Sequence, residues 1–74
     1  MTNAYPYHYI DYWFEITGED SDYCGEQFFV EVLDNEEAHD MAWDIATENF
    51  PDEELKCFGR VSDTFAEMMG LDTY

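Results

Sequence analysis

This sequence has almost no positive charge. It carries 19 Asp and Glu residues against only two basic ones, Lys56 and Arg60, and its formal net charge at pH 7 is −17. Such a surface repels the phosphates of nucleic acids and anionic membrane surfaces, and it attracts basic protein surfaces. Direct binding to nucleic acid or to a membrane is therefore not expected, and the expected partner is a basic nucleic-acid-binding protein.

Long hydrophobic runs are also missing, and no signal peptide is visible in the sequence. No stretch approaches the ~20 apolar residues of a membrane span, and residues 1–6 lack the basic and apolar regions of a signal peptide. We therefore expect a cytoplasmic protein. Cys24 and Cys57 are then expected to be reduced thiols, and a disulfide between them would require Cα atoms within about 7 Å.

Catalytic motifs are absent as well. The sequence contains no Ser-His-Asp order, no HExxH and no glycine-rich phosphate loop. With 19 acids, a carboxylate pair could always be chosen, so such a pair carries no information. We expect neither an enzyme nor a cofactor.

Two metal patterns are incomplete. Residues of zinc-ligand type occur without the close pairing of zinc sites: they are His8, Cys24, His39 and Cys57. Positions 1, 3, 6 and 12 of a calcium loop are matched by Asp20, Asp22, Gly25 and Glu31. However, Cys24 occupies the fifth position and the flanks read as strands, so a polar hairpin loop is the preferred interpretation and no metal site is expected.

What is present is a dense set of aromatic residues: six Phe, six Tyr and two Trp lie among the acids. A disordered acidic segment would lack them. The chain therefore reads as one small domain over residues 1–74, with residues 1–6 as a loose lead-in.

The residue patterns predict an α+β fold of order β-β-α-β-α. Strands are expected over residues 7–17, 26–33 and 55–61, with a polar hairpin loop over 18–25. The main helix is expected to begin at an N-cap on Asp34 or Asn35, with Glu37 completing a capping box after Asp34, and to end near Asn49. A short helix capped by Ser62 or Asp63 is expected to end at Met69, before Gly70. A right-handed crossover gives an antiparallel sheet of strand order 2-1-3, with the main helix on one face.

Alternation in the strands separates two faces of this sheet. The inner face is expected to bury Ile10, Tyr12, Phe14, Ile16, Phe28, Val30 and Val32 against a helix stripe of Ala38, Met41, Ala42, Ile45 and Ala46. The outer face, named here the aromatic face, carries Tyr9, Trp13, Phe29 and Phe58. This is too much apolar surface to leave in water. The C-terminal helix, a second copy of the chain or a partner protein is expected to cover it, with Lys56 and Arg60 on the same side pairing with Asp11, Glu15 or Glu31.

The main helix is also expected to carry an acidic row, at Glu36, Asp40, Asp44 and Glu48, with Glu37 beside it. Spacing by four residues places these carboxylates about 6 Å apart, similar to the pitch of phosphates along a nucleic-acid strand. Each like-charge pair costs an isolated helix about 0.2–0.5 kcal/mol, and no Lys or Arg in the helix relieves it. We predict a partner-binding acidic surface made of this row together with Asp52, Glu53, Glu54, Glu19, Asp20 and Asp22. The simpler interpretation is an ordinary solvated helix face.

The stretch YWFEITGED…EQFFVEVLDNEEAHDMAWDIATENFPDEEL, covering about residues 12–55, resembles the hairpin-plus-helix layout of small phage-encoded proteins. Its charge is similar to that of phage anti-defence proteins, the DNA mimics that inhibit restriction enzymes, CRISPR effectors or repair glycosylases. The resemblance implies a viral inhibitor acting in the host cytoplasm. It carries no residue roles with it, since it rests on layout and charge.

Three hypotheses follow for the function. The first is an inhibitor that mimics nucleic acid, with Tyr23, Trp43 or Phe50 as contact residues at the rim of the acidic surface. The second is a protein-interaction module, in some versions homodimeric, that uses the aromatic face while the acids keep the chain in solution. The third is adaptation to a salt-rich cytoplasm, which the high aromatic content suits less well.

Overall fold

The computed structural model describes residues 8–74. Within that range the elements are β1 (Tyr9–Ile16), β2 (Gln27–Leu33), α1 (Ala38–Asn49), β3 (Leu55–Val61) and α2 (Asp63–Met69). The strands form an antiparallel sheet of order β2-β1-β3. The predicted α+β class, element order and strand order are confirmed. The expected lead-in over residues 1–6, and residue 7 as the start of the first strand, lie outside the described residues.

The core lies between the inner face of the sheet and α1. Side chains alternate across a strand, so the even-numbered residues of β1 and β2 share the inner face. The buried residues of this core are Tyr12, Phe14, Ile16, Phe28, Val30, Val32, Ala38, Ala42 and Ala46. The rings of Phe14 and Phe28 stack, with centroids 5.4 Å apart. Because alanine is small, the three helix alanines let α1 lie close to the large sheet residues.

The apolar stripe of α1 is narrower than predicted. Met41 is exposed and Ile45 is only partly buried. Trp43 contributes instead: its ring meets Phe14 edge-on, with centroids 5.0 Å apart. The large Trp43 side chain is long enough to contact the sheet from a position beside the alanine stripe, and this explains why it joins the core.

The start of α1 also differs from expectation. Glu37 is the N-cap residue, and no side chain caps the helix. Asn35 instead forms a turn before it, in which its Oδ1 accepts a hydrogen bond of 2.8 Å from the N–H of Glu37. The prediction that Asp34 or Asn35 would be the N-cap is wrong, because this turn delays the helix to Ala38. The Asp34 carboxylate pairs with Arg60.

A bulge in β3 changes which face its side chains occupy. The pairing with β1 shifts between Trp13 and Phe14, close to Gly59, whose φ is 116°. Paired residues of antiparallel strands project to the same face. Lys56, opposite Glu15, therefore lies on the outer face, whereas Arg60, opposite Tyr12, lies on the inner side. The prediction that both basic residues share the outer face is wrong for Arg60.

The C-terminal part of the chain covers much of the outer face. Ser62 caps α2 by accepting from the N–H of Phe65, and Gly70 ends the helix in the left-handed conformation. The Phe65 ring then lies over the sheet, 5.5 Å from the Trp13 ring and 6.5 Å from that of Phe29. Of the three covers expected for the aromatic face, the structure shows the C-terminal helix.

Residues 72–74 add a short parallel pairing at the free edge of β2. The N–H of Phe29 donates to the Asp72 carbonyl at 2.8 Å, and the N–H of Tyr74 donates to the Phe29 carbonyl at 2.8 Å. The N–H of Glu31 donates to the Tyr74 carbonyl at 2.9 Å. Between this segment and α2, Phe29 is fully buried. The sequence patterns did not reveal this segment.

We predict that Phe65→Ala lowers the free energy of unfolding by about 1–2 kcal/mol, because it uncovers Trp13 and Phe29. The value is below that of a fully buried Phe, since Phe65 is itself partly exposed. Urea denaturation followed by Trp fluorescence measures the change. Met68→Ala is the matched control on the same helix: Met68 is 82% exposed, so its loss should change stability by less than about 0.5 kcal/mol. Equal effects of the two variants would show that α2 does not cover the sheet.

Candidate partner-binding surface

The acidic row of α1 lies on the side of the helix that faces away from the sheet. A helix turns by about 100° per residue, so residues 40, 44 and 48 are rotated about 200° from the buried alanines at 38, 42 and 46. Asp40, Asp44 and Glu48 are all exposed, as are Glu36 and Glu37 in the turn before the helix. The last turn of α1 contains no basic residue. The row therefore presents unneutralised carboxylates to solvent.

A second group of acids is formed where the β1–β2 loop meets the segment between α1 and β3. The N–H of Thr17 donates to the Glu54 carbonyl at 2.9 Å, which holds the two segments side by side. They enclose an open groove of about 460 Å³. Its carboxylates are those of Glu19, Asp20, Asp22, Asp52, Glu53 and Glu54. The structure thus brings together six predicted residues from two distant parts of the chain.

The two groups of acids follow one another along the chain at the end of α1. Asp52 follows Glu48 by four residues, just beyond the end of α1. The β1–β2 loop is held by local hydrogen bonds, including Ser21 N–H to the Gly18 carbonyl at 3.0 Å and Tyr23 N–H to the Ser21 hydroxyl at 3.0 Å. We call the α1 row and the groove together the acidic surface.

The two basic residues do not neutralise this surface. Arg60 pairs with Asp34, with Nη2 2.8 Å from Oδ1. The ammonium of Lys56 lies 5.2 Å from the centre of the Phe58 ring, a cation–π arrangement. Within residues 8–74, neither forms an ion pair with Asp11, Glu15 or Glu31, so the predicted pairings are wrong. The bulge and the neighbouring aromatic ring direct both cations elsewhere.

The aromatic face is less available than its composition suggested. Trp13 is partly buried between Phe58 and Phe65, and its indole N–H donates to Gln27 at 3.2 Å. Phe29 has no exposed area. Only Tyr9 and Phe58, which are 50% and 44% exposed, remain open among the four predicted residues. The apolar surface of Trp13 and Phe29 is therefore packed against other residues of the same domain.

The predicted rim aromatics lie in different settings. Tyr23 is exposed beside the groove, and Phe50 is partly buried at the end of α1. Trp43 is partly buried on α1, where its indole N–H donates to Nε2 of His39 at 3.2 Å. Tyr23 and Phe50 therefore border the acidic surface.

Three carboxylates meet on the other side of the sheet, a cluster that the sequence patterns missed. Asp11 and Glu31 are paired across β1 and β2, and Asp63 begins α2. One carboxylate oxygen from each lies within 4.8 Å of the others. Asp11 is only 3% exposed. Asp11 and Glu31 are brought together by the register of β1 and β2, whereas the position of Asp63 depends on how α2 docks.

The environment of Asp11 favours its neutral form. Burial, a hydrogen bond to Asp63 and repulsion from the charges of Asp63 and Glu31, in that order of size, together raise its pKa from 3.8 to about 7. A proton on Asp11 relieves the repulsion. Carboxylate oxygens are also the ligands that calcium and magnesium prefer, so the cluster could instead hold a divalent cation.

The ligand-type residues considered from the sequence are not assembled in this way. Within residues 8–74, the residues with ligand atoms close enough to share a metal ion are Asp11, Glu31 and Asp63, and not the His and Cys set. Both cysteines are free, and burial raises the pKa of the Cys57 thiol. Glu31 belongs to a strand, whereas Asp20 and Asp22 lie in the loop, so the calcium-loop pattern is not a single binding loop.

Comparisons with protein-family models, curated proteins and solved structures gave no match to this chain. Among residues 8–74, no helix has both the length and the apolar character needed to span a bilayer.

We predict that the free energy of unfolding falls by about 1–2 kcal/mol between pH 5 and pH 8. The unfolded-state pKa of Asp is about 3.9, so the raised value in the folded state means that the folded chain holds the extra proton. The resulting stabilisation is complete below about pH 4 and is lost as the pH rises through about 7. Solvent around Glu31 and Asp63 keeps the effect below that of a fully enclosed group. Urea denaturation at several pH values measures it.

Asp11→Asn is the control for this titration, because the amide that replaces the carboxylic acid does not ionise. Its stability should vary less with pH over this range, and parallel profiles for the two proteins would contradict the assignment to Asp11. If the cluster binds a cation, calcium or magnesium added at pH 8 should raise the urea concentration at the midpoint of unfolding for the parent protein. The midpoint of the Asp11→Asn variant should not change.

Proposed function

We propose that this protein is an inhibitor that mimics nucleic acid and binds the basic DNA- or RNA-binding groove of another protein. The observation that carries the proposal is the acidic surface: the α1 row and the groove contain eleven acidic residues, of which ten are exposed and Glu53 is partly buried. Within residues 8–74, neither basic side chain forms an ion pair with any of them. The acids of the surface are Glu36, Glu37, Asp40, Asp44, Glu48, Asp52, Glu53, Glu54, Glu19, Asp20 and Asp22.

The cost of this arrangement supports a binding role. Like charges spaced by four residues destabilise a helix, and acids near the carboxyl end of α1 oppose its dipole. A helix selected only for solubility would gain from mixing both signs of charge. A basic groove would remove the repulsion on binding, steer the two proteins together and make their association sensitive to salt.

The class of target follows from the resemblance to phage anti-defence proteins. Restriction enzymes, CRISPR effectors and repair glycosylases hold nucleic acid in positively charged channels, and an acidic domain of this size could occupy part of such a channel. We propose that the protein acts in the host cytoplasm, where these enzymes work.

The test is capture of host proteins on the immobilised protein at low and high salt. We expect a nucleic-acid-binding enzyme to be retained at low salt, released at high salt and displaced by added DNA. The double variant Asp40→Asn/Asp44→Asn should bind the captured enzyme about tenfold more weakly, as measured by titration with the purified enzyme.

The matched control is Glu31→Gln/Glu67→Gln, which removes the same number of charges on the other side of the sheet. It should bind almost as tightly as the parent protein, and circular dichroism should show that both variants are folded. Equal weakening in the two variants would mean that net charge alone determines binding, and retention unaffected by salt and DNA would contradict mimicry.

A second candidate function is favoured by the exposed part of the aromatic face. Phe58 remains 44% exposed on β3, and the outer edge of β3 has no strand partner within residues 8–74. Under this proposal the chain is an interaction module, in a complex or as a homodimer. Phe58→Ser should then abolish binding while the Asp40/Asp44 variant retains it.

A further inference from the structure

A pocket with aromatic rings and carboxylates lies beside the acidic surface, at the end of the sheet where β1 ends and β2 begins. Its volume is about 430 Å³, within the usual range of ligand pockets of roughly 300–1,000 Å³. Its walls come from the start of β2, the end of α1, the connection to β3 and the C-terminal segment. The pocket shares Tyr23, Asp52 and Glu53 with the acidic groove.

Three aromatic rings that line the pocket contact one another. The Phe28 and Phe50 centroids are 4.7 Å apart, and the Tyr74 ring stands nearly perpendicular to both, at 5.4 Å from Phe28 and 5.5 Å from Phe50. Phe28 is almost fully buried, whereas Tyr74 is 40% exposed. Tyr23, which also lines the pocket, is 53% exposed. A ligand in the pocket would therefore meet aromatic surface at Tyr74, Phe50 and Tyr23.

The backbone that carries these rings is held in place. The N–H of Phe50 donates to the Ala46 carbonyl at 2.9 Å, and Tyr74 forms two hydrogen bonds to β2 through its own N–H and carbonyl. A site held in this way loses little conformational freedom when a ligand enters.

The charged groups of the pocket are all negative. Glu26, Asp52, Glu53 and Asp72 line it, and no Lys or Arg does. Aromatic faces attract organic cations, and the carboxylates attract the same cations by their negative charge. The rings supply no ligand atoms for a metal ion, and the carboxylates would repel an anion. The chemistry of the pocket therefore selects an organic cation.

Arginine suits the pocket better than lysine. A guanidinium is planar, stacks on aromatic rings, is less strongly hydrated than an ammonium and can bond a carboxylate with two parallel N–H groups. We propose that the pocket receives an arginine side chain from the basic protein that the acidic surface binds. This inference rests on the proposed function, because the mimicked groove supplies the arginine. It adds one specific anchor to an otherwise diffuse attraction of charges.

The probes are three short blocked peptides, with Arg, Lys or neutral citrulline between two glycines, titrated into the nitrogen-15-labelled protein by NMR. We expect the Arg peptide to shift the amide signals of residues 50, 52, 53 and 72–74, and to bind at least about fivefold more tightly than the citrulline peptide. The Lys peptide should lie between them. Equal binding of the Arg and citrulline peptides, or shifts spread evenly over α1, would overturn the proposal.

Tyr74→Leu tests the ring, and Tyr74→Phe is its matched control. The leucine variant keeps an apolar side chain without the aromatic face, so it should bind the Arg peptide about threefold more weakly. The phenylalanine variant keeps the ring and should bind like the parent. Equal affinity in the leucine variant, with its fold intact by NMR, would refute an aromatic contact.

The two proposals can fail separately. If the captured enzyme is displaced by DNA and weakened by the Asp40/Asp44 variant, but is indifferent to Tyr74→Leu, mimicry stands and the arginine pocket is refuted. If the Arg peptide binds the pocket as expected but no nucleic-acid-binding enzyme is captured, the pocket stands and mimicry is refuted.

Discussion

Repulsion among the carboxylates is the constraint that shapes this domain. A net charge of −17 on 74 residues opposes any compact state. Most of the acids therefore lie at the surface, with the buried Asp11 as an exception, and the interior must supply large attractive contacts. The aromatic rings do this on both faces of the sheet, with Phe14, Phe28 and Trp43 under α1 and Trp13, Phe29 and Phe65 under α2. The acidic row lies on the side of α1 that faces away from the sheet, and the acids of the groove lie in the loops at the end of the sheet. The binding surface that we propose is thus a product of the same constraint that limits stability.

The strands and the inner core could be predicted because they depend on local periodicity. Alternation placed Tyr12, Phe14 and Ile16 on one face, and the alanines of α1 identified the opposing stripe. Arg60 could not be placed, because its direction depends on a bulge near Gly59 that shifts the pairing with β1. Residues 72–74 were missed because a three-residue pairing has no periodicity of its own. The N-cap was misassigned because an Asn turn and a capping box have similar residue patterns.

The features of the candidate sites also fall into those that local sequence patterns predict and those that depend on long-range contacts. The row on α1 follows from the helical repeat alone, and the structure shows it on the exposed side. The groove between residues 19–22 and 52–54 depends on a backbone contact between Thr17 and Glu54, which no spacing in the sequence indicates. The Asp11 cluster and the aromatic pocket arise from docking of the C-terminal part, which adds Asp63 to one and Tyr74 to the other. Long-range contacts therefore created the features with the most specific chemistry.

The bulge in β3 has a consequence for how copies of this chain meet. Residues 72–74 cover the edge of β2, so within residues 8–74 the outer edge of β3 is the side of the sheet left open. Open edges invite strand-to-strand aggregation, and natural proteins blunt them with basic side chains and bulges. Here both basic residues of the chain and its bulge lie on this one strand. Negative charge on the rest of the surface already makes copies of the chain repel one another. The open edge of β3 lacks that protection, and there the bulge and the two basic side chains oppose strand-to-strand stacking.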